Sequence, residues 1–264
     1  MTSAHERHAA YYVAAIGGHG DTWLLIELDM DQIRRAWGWL RETPGHEKEL
    51  LALCRAMNNF MQTRGLWPEH LQWLNVALQA AVVLGHRTEK TMLLNNIGAT
   101  HLARGALTNA RHYLDLALAD AQAAADRYGE AATLFNIGRV HDGLGEQDVA
   151  RDCFKQVLAI FRLLREPLGE ANALNSLGAV HYMPGEFAEA LDSMNQALGI
   201  WRAAGANAGE AMSLAGIGEG YHAQGKFEDA FHAHERALIL FRKIGGRAGE
   251  ASALTNLGRL YESR

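Results

Sequence analysis

Apolar side chains recur along the chain at the spacing of an α-helix, and the same pattern returns every forty residues. Leu134, Ile137, Gly138 and His141, for example, stand at i, i+3, i+4 and i+7, so they share one face of a helix. The leucine that begins this face recurs at positions 94, 134, 174, 214 and 254. A constant period of this length predicts stacked helical units instead of one globular core.

Small residues divide each unit into two halves. Glycines recur on the apolar face at Gly98, Gly138, Gly178, Gly218 and Gly258. Further small residues follow in the same order in each unit, at Gly105, Gly145, Gly185 and Gly225 and then at Ala110, Ala150, Ala190 and Ala230. A glycine within a helix costs about 1 kcal/mol, so its recurrence indicates close approach of a neighbouring helix. Each unit is therefore predicted to be two antiparallel helices joined by a turn.

This order of leucine, glycine, glycine and alanine resembles the tetratricopeptide repeat. The usual repeat is about 34 residues long, and a period of forty would also suit HEAT or armadillo repeats. The glycine and alanine signature favours tetratricopeptide repeats, in a long-helix form similar to that of kinesin light chains. The predicted fold is an all-α, right-handed superhelical solenoid of antiparallel helix pairs.

The repeat does not extend to the start of the chain. We expect an N-terminal helical arm over residues 1–45, with one helix over 5–16 and a second that is capped by Asp21 and Thr22 and runs to about Arg41. A tetratricopeptide array is expected over 46–264, with repeats at about 46–86, 87–126, 127–166, 167–206 and 207–246 and a half repeat at 247–264.

The two end repeats depart from the pattern. Asn58 replaces the packing glycine in the first repeat. The last unit has only its first helix, so Leu254, Leu257 and Tyr261 are expected to face a missing neighbour. Self-association through this uncapped end, covering by another segment, or truncation of a longer protein would each account for it.

The arm carries a more specific resemblance. His8-Ala9-Ala10-Tyr11-Tyr12, followed by the stretch from Glu27 to Trp37, is similar to the helical arm of STAND-type signalling ATPases, notably large actinobacterial regulators of antibiotic synthesis. Gln32 stands where that family usually has asparagine. The resemblance covers the arm and the repeats but not the ATPase domain. It implies a bacterial sensor region that binds a partner and thereby regulates an attached nucleotide-switching domain.

Composition excludes several other classes of protein. The net charge is −5 and the basic residues are scattered, so the basic patch of a nucleic-acid binder is missing. No apolar run reaches the ~18 residues that a membrane span needs. Two cysteines cannot form a disulfide framework, and Cys54 stands in a core position, so we expect a reduced, cytoplasmic protein.

Two apparent chemical motifs fit the repeat better than they fit catalysis. The stretch from Gly220 to Lys226 has the spacing of a phosphate-binding loop, but Phe227 replaces the Ser or Thr and a helix precedes it where a strand is required. His101, His141 and His181 take the position of Tyr221 and Tyr261, so they are interpreted as substitutes for tyrosine at a contact between helices. We expect no enzyme activity, no cofactor and no metal site.

The candidate site is the surface of the first helices that points away from the packing glycine. Eleven residues, which we call the first-helix stripe, occupy it: Asn95, Asn96, Asn136, Arg139, Asn172, Asn175, Tyr182, Glu219, His222, Asn256 and Arg259. A row of amides can grip the backbone of an extended peptide, because each amide donates and accepts. Kinesin-light-chain-like arrays are similar in carrying such a row, which Ser176 and Gly216 interrupt here. The alternative is that the asparagines bond neighbouring repeats and stiffen the solenoid.

The sequence therefore predicts a non-enzymatic sensor or scaffold module with a protein or peptide partner. The arginines of the stripe would favour an acidic partner. A stand-alone receptor for a peptide or small ligand and a purely assembly-forming scaffold are the alternatives. The fold alone does not identify the partner.

Overall fold

The structure is a computed structural model that describes residues 4–17, 23–182 and 185–262. Within these ranges the chain forms thirteen α-helices and no strand. The helices are α1 (Ala4–Gly17), α2 (Trp23–Glu42), α3 (Glu47–Thr63), α4 (Trp67–Val83), α5 (Arg87–Ala103), α6 (Leu107–Ala123), α7 (Arg127–Gly143), α8 (Gln147–Leu164), α9 (Pro167–Tyr182), α10 (Phe187–Ala203), α11 (Asn207–Ala223), α12 (Phe227–Lys243) and α13 (Arg247–Glu262). The predicted all-α repeat fold is confirmed. The proposed cap residues Asp21 and Thr22 lie outside the described residues.

The chain divides into two compact units, residues 1–133 (unit 1) and 134–264 (unit 2), and the division falls within α7. The predicted boundary between arm and array at about residue 45 stays a prediction. Among the described helices, none combines the length and the hydrophobicity that a membrane span requires.

In unit 1, the two arm helices pack against the first repeat and share its core. Trp37 of α2 stacks on Trp73 of α4, with ring centroids 4.2 Å apart and ring planes 2° from parallel. Cys54 is buried in this core, and burial raises the pKa of its thiol to about 12. It is therefore an apolar filler, as predicted, and not a nucleophile.

The first repeat of unit 1 replaces the usual pair of small residues with a polar pair. Asn58 stands in the position of the packing glycine and His70 in the position of the packing alanine. The ring of His70 is fully buried; its Nε2 lies 3.1 Å from Asn58 Oδ1 and its Nδ1 lies 3.1 Å from Thr100 Oγ1. Both ring nitrogens thus have hydrogen-bond partners, which offsets the cost of burying them.

In unit 2, the packing glycines lie directly against a large side chain of the second helix. A methyl group on Gly178 would lie 2.6 Å from Met194 Cγ and 3.1 Å from the carbonyl oxygen of Ala190. Gly138 faces Phe154 and Gly218 faces His234 in the same way, at 2.8 Å and 2.7 Å. The recurring glycine is therefore required for the two helices of each repeat to pack.

A second repeated contact joins consecutive repeats in unit 2. Phe161, Trp201 and Phe241 pack their rings against Gly169, Gly209 and Gly249, where an added methyl group would lie within 2.6 Å of a ring atom. The arginine after each ring bonds the glutamate after each glycine, and the Nε–Oε1 distance is 2.8 Å in all three pairs: Arg162 with Glu170, Arg202 with Glu210, and Arg242 with Glu250. The recurring Gly-Glu pair is thus the connection to the preceding repeat.

The turns between helices use left-handed backbone. Most of the residues in this conformation are glycines, such as Gly205 at φ +65°. In the equivalent turn positions stand Ala125 at φ +52° and Arg165 at φ +57°. A side chain in this conformation costs roughly 1–2 kcal/mol, so these two turns are strained.

Helix α13 differs from the expectation for its exposed face. Leu254 and Tyr261 are 45% and 63% exposed, as predicted, but Leu257 is buried. It packs into the same core cluster as Leu238 and Phe241, because it stands on the side of α13 that faces α12. The prediction that Leu257 faces a missing neighbour is therefore wrong. A methyl group on Gly258 would meet nothing within 4 Å.

The packing glycines provide a first test. Gly178→Ala should destabilise the protein by about 1–3 kcal/mol, because the added methyl group overlaps Met194 and approaches a backbone carbonyl. Gly258→Ala is the matched control and should stabilise by up to ~1 kcal/mol through helix propensity. Guanidinium unfolding of both variants measures the difference; equal stability would contradict the packing role.

The strained turns provide a second test. Arg165→Gly should raise the free energy of unfolding by roughly 1 kcal/mol, because glycine adopts the left-handed conformation without a steric penalty. Gly205→Ala, the reverse change in an equivalent turn, should lower it by a similar amount. If calorimetry gives both variants the same midpoint as the parent chain, the turns do not carry the strain we assign.

Candidate functional site

The first-helix stripe is contributed by α5, α7, α9, α11 and α13. Asn95 and Asn96 belong to unit 1 and the other nine residues to unit 2. In unit 1, Asn95 is partly buried and lines a cavity of about 140 Å³ together with Thr88, Met92 and Tyr128. The side chain of Asn96 is also partly buried, and its backbone carbonyl accepts a bond from Thr100 Oγ1 at 2.7 Å.

The first stripe residues of unit 2 differ in depth. Asn136 is only 9% exposed, and its Oδ1 accepts a bond from Arg139 Nη1 at 3.5 Å. Arg139 and Asn172 are exposed. Asn136 therefore lies deeper than an outward-facing position of a helix would suggest, and it contacts the arginine one turn further along α7.

A larger cavity of about 660 Å³ lies in unit 2, between α9 and α13 in the chain order. Asn175 lines it, and Ser213 Oγ donates to Asn175 Oδ1 at 2.8 Å. The Asn175 Nδ2 is buried and has no hydrogen-bond partner in the part of the chain that the structure describes. The serine thus fixes the orientation of the amide.

The gap in the asparagine row at Gly216 lies in the same cavity. A side chain on Gly216 would collide with Met194, because an added methyl group would lie 2.5 Å from its sulfur. The hydroxyl of Tyr182 donates to the carbonyl oxygen of Gly216. Burial, and then the charge of Glu219, raise the pKa of Tyr182 above its usual value, so its hydroxyl stays protonated. At this position the side chains of Met194 and Tyr182 therefore take the place of an asparagine amide.

Four stripe residues meet in an adjoining cavity of about 210 Å³, which we call the His234 pocket. Glu219, His222, Asn256 and Arg259 line it together with His234 of α12. Asn256 Nδ2 donates to Glu219 Oε1 at 3.3 Å across consecutive repeats. Glu219 also lines the larger cavity, so the two cavities share this residue in their walls.

His234 was missed in the sequence analysis. It stands in the position that Leu114, Phe154 and Met194 occupy in other repeats, where an apolar residue packs on the glycine. A histidine in an otherwise apolar register position is a signal that the sequence does contain. Burial, and then the nearby His222, lower the pKa of His234 to about 4, so the ring is neutral near pH 7.

The other candidate motifs are part of the scaffold. Gly220 lies inside α11, and Gly225 forms the turn after it at φ +73°, so this stretch does not form a phosphate loop. His141 and His181 each lie 2.5 Å from a glutamate of the following turn, and His101 stacks on Tyr113. Among the described residues no group of three or more metal-binding side chains lies close enough to hold an ion.

Comparison with known proteins agrees with this geometry. The tetratricopeptide-repeat family model matches residues 89–163 and 209–264. These stretches are similar in sequence to tetratricopeptide repeats. No curated protein matches the chain.

Solved structures share the repeat fold over most of the chain. NprR in complex with its cognate peptide NprX is 13% identical, with a TM-score of 0.70, over 98% of this chain and 72% of that one. BtubC (BKLC) from P. vanneervenii is 18% identical, with a TM-score of 0.63, over 92% and 93% of the two chains. A STAND protein with a tetratricopeptide-repeat sensor from Pyrococcus horikoshii is 14% identical, with a TM-score of 0.59, over 88% of this chain but 43% of that one. At these identities the likeness shows the fold.

The two buried histidines predict how stability depends on pH. An unfolded histidine titrates near pH 6.5, whereas burial lowers the pKa of both His70 and His234 to about 4. The unfolded chain therefore binds protons more strongly, and stability should fall as the pH is lowered from 6.5 towards 4. Each histidine contributes at most about 3 kcal/mol to this loss.

Guanidinium unfolding of His234→Met between pH 7.5 and 5 measures the share of His234. The variant should lose less stability over this range than the parent chain. His232→Met is the control, since that ring is exposed, and should behave like the parent. An unchanged slope in His234→Met would show that His234 is not held neutral by burial.

Proposed function

We propose that the chain is a non-enzymatic module that binds a peptide, or an extended segment of another protein, along the first-helix stripe. Binding regulates an attached nucleotide-switching domain, as the resemblance of the arm to STAND-type ATPases implies. The module works in the cytoplasm and has no nucleic-acid partner.

The observation that carries this proposal is that the two cavities of unit 2 are neighbours with a shared wall residue, Glu219. Stripe residues from three successive first helices, α9, α11 and α13, line them, and Glu219 belongs to both. A row of sites along successive repeats suits an extended chain better than a compact small molecule. The mixture of amides, apolar floor and single charges suits a peptide, which presents backbone amides and side chains alternately.

The alternative role of the asparagines, bonding between repeats, has support as well. Asn175 bonds Ser213 of the next repeat, and Asn256 bonds Glu219 of the preceding one. Each of these bonds engages one end of the amide: the oxygen of Asn175 and the nitrogen of Asn256. We therefore propose that the bonds orient the amides and that a peptide engages the opposite end.

The comparisons support the two parts of the proposal separately. NprR, whose structure holds a cognate peptide, supports peptide binding by a fold of this kind. The STAND protein, described as having a tetratricopeptide-repeat sensor, supports a link to a signalling ATPase.

A stand-alone peptide receptor is the second candidate. It is favoured by the extent of the likeness to NprR, which covers 98% of this chain, against 88% for the STAND protein. The product of the whole gene distinguishes the two: in the first case the peptide changes the rate of nucleotide hydrolysis, and in the second no such activity responds to it.

Asparagine variants test the proposed groove. Partners captured from a lysate of the source organism are identified by mass spectrometry, and the bound segment is made as a synthetic peptide. Asn96→Ala and Asn256→Ala should each weaken binding of that peptide by about 5- to 150-fold, because a lost hydrogen bond in a water-excluded contact costs roughly 1–3 kcal/mol. Their unfolding free energies should change by no more than about 0.5 kcal/mol.

Asn195→Ala is the matched control. This asparagine is exposed on the second helix α10 and donates to the carbonyl of Leu191, outside the stripe. Its removal should leave peptide affinity unchanged. Loss of more than about 1.5 kcal/mol of stability in Asn96→Ala and Asn256→Ala, with intact binding, would support the stiffening role and reject the groove.

A further inference from the structure

The His234 pocket contains a buried polar side chain that the protein leaves unsatisfied. His234 is 1% exposed, and its Nδ1 has no hydrogen-bond partner among the residues that the structure describes. The contrast with His70 is direct: that ring is equally buried, and both of its nitrogens are bonded. Hydrogen bonds within the protein therefore account for the burial of His70, whereas they do not account for that of His234.

An apolar residue would stabilise this position better. Leu114 and Met194 fill it in other repeats and pack against the equivalent glycine of their own repeat. A buried polar group without a partner costs roughly 1–3 kcal/mol. A partner supplied from the pocket that His234 lines would remove this cost, which points to a bound ligand.

Charge in the pocket identifies the class of that ligand. Glu219 and Arg259, which carry opposite charges, are both exposed, and Glu219 already accepts a bond from Asn256. The remaining titratable groups facing the pocket are His222 of α11 and His234 itself. Imidazoles can gain positive charge but cannot become negative, so any change in protonation of these two favours an anion.

We propose that the His234 pocket binds a carboxylate group of the ligand, with Arg259, His222 and His234 as hydrogen-bond donors. The proposal deepens the peptide-binding function and rests on it. The carboxylate belongs either to an acidic side chain or to the free C-terminus of a peptide.

Binding is coupled to proton uptake. A carboxylate in the pocket offsets both factors that keep His234 neutral, namely its burial and the positive charge of His222. The pKa of His234 therefore rises in the complex, and by linkage the affinity for the carboxylate increases as the pH falls from 7 to 5. The negative charge of Glu219 opposes binding of the anion, and the positive charge of Arg259 offsets this repulsion.

The test uses the whole chain with ¹³C-labelled histidine and follows the ring Cε1–H resonances by NMR. The probes are acetyl-aspartate-N-methylamide for an acidic side chain and acetyl-alanine for a free C-terminal carboxylate. Acetyl-asparagine-N-methylamide and acetyl-lysine-N-methylamide are the neutral and cationic controls. At least one carboxylate probe should shift the His234 and His222 resonances and bind severalfold more tightly at pH 5 than at pH 7. The His70 resonance is the internal reference and should not move with any probe.

Three variants sharpen the test. Arg259→Gln, at an exposed position, should weaken binding of the carboxylate probe by roughly tenfold, because a charge-assisted hydrogen bond is lost. Glu219→Gln should increase the affinity for the carboxylate probe by about threefold or more, since an opposing charge is removed. His234→Met, which introduces the residue found at position 194, should reduce the pH dependence of binding, and circular dichroism checks that it folds.

Several outcomes would overturn the carboxylate site. One is an equal response to the asparagine probe, and another is an absence of shifts with every probe. A third is binding of the lysine probe that Glu219→Gln abolishes, which would make the pocket a cation site. If the pocket fails in these ways while Asn96→Ala still weakens the partner peptide, the proposed function stands without this subsite. If the carboxylate probe binds but Asn96→Ala and Asn256→Ala leave partner binding intact, the pocket stands and the groove fails.

Discussion

Close packing across a glycine is the interaction on which the four repeats between residues 87 and 246 depend. In the first helix the glycine offers bare backbone, and the second helix places a large side chain against it, as Met194 does against Gly178. The two helices can approach only because the methyl group is missing, and the gain in packing outweighs the lower helix propensity of glycine. This contact sets which face of the first helix turns inward. Within unit 2, stripe residues of successive first helices consequently line the same or neighbouring cavities.

The same contact explains why substitutions at the packing positions carry functional meaning. An apolar residue there completes the core and nothing more. The first repeat of unit 1 has the polar residues Asn58 and His70 at packing positions. Hydrogen bonds within the protein satisfy both ring nitrogens of His70. In unit 2, His234 departs from the rule without such bonds and lines a pocket instead. Polar residues in equivalent parts of a repeat can thus be structural in one place and point to a ligand in another.

The sequence allowed the fold to be predicted because every repeat carries the same short-range pattern. Helical periodicity and the glycine register are local properties, and both survive in the structure. The pocket was less predictable, because His234 comes from a second helix while the stripe was defined on first helices only. The depth of Asn136 and the burial of Leu257 also escaped prediction, since each depends on a neighbouring side chain instead of on spacing. Similarly, the gap at Gly216 suggested only a weaker amide row, whereas the structure shows Met194 and Tyr182 filling it.

The junctions between repeats in unit 2 have a consequence for how such an array can change in length. Each repeat ends with an aromatic ring and an arginine, and the next begins with the glycine and glutamate that receive them. The repeats at 167–206 and 207–246 therefore carry both halves of the junction, one at each end. A duplicated unit would find matching partners on both sides, and a deleted one would leave its former neighbours able to join each other. The gene can thus lengthen or shorten the array by whole repeats of this kind without a compensating change elsewhere, which makes the number of repeats itself a variable open to selection.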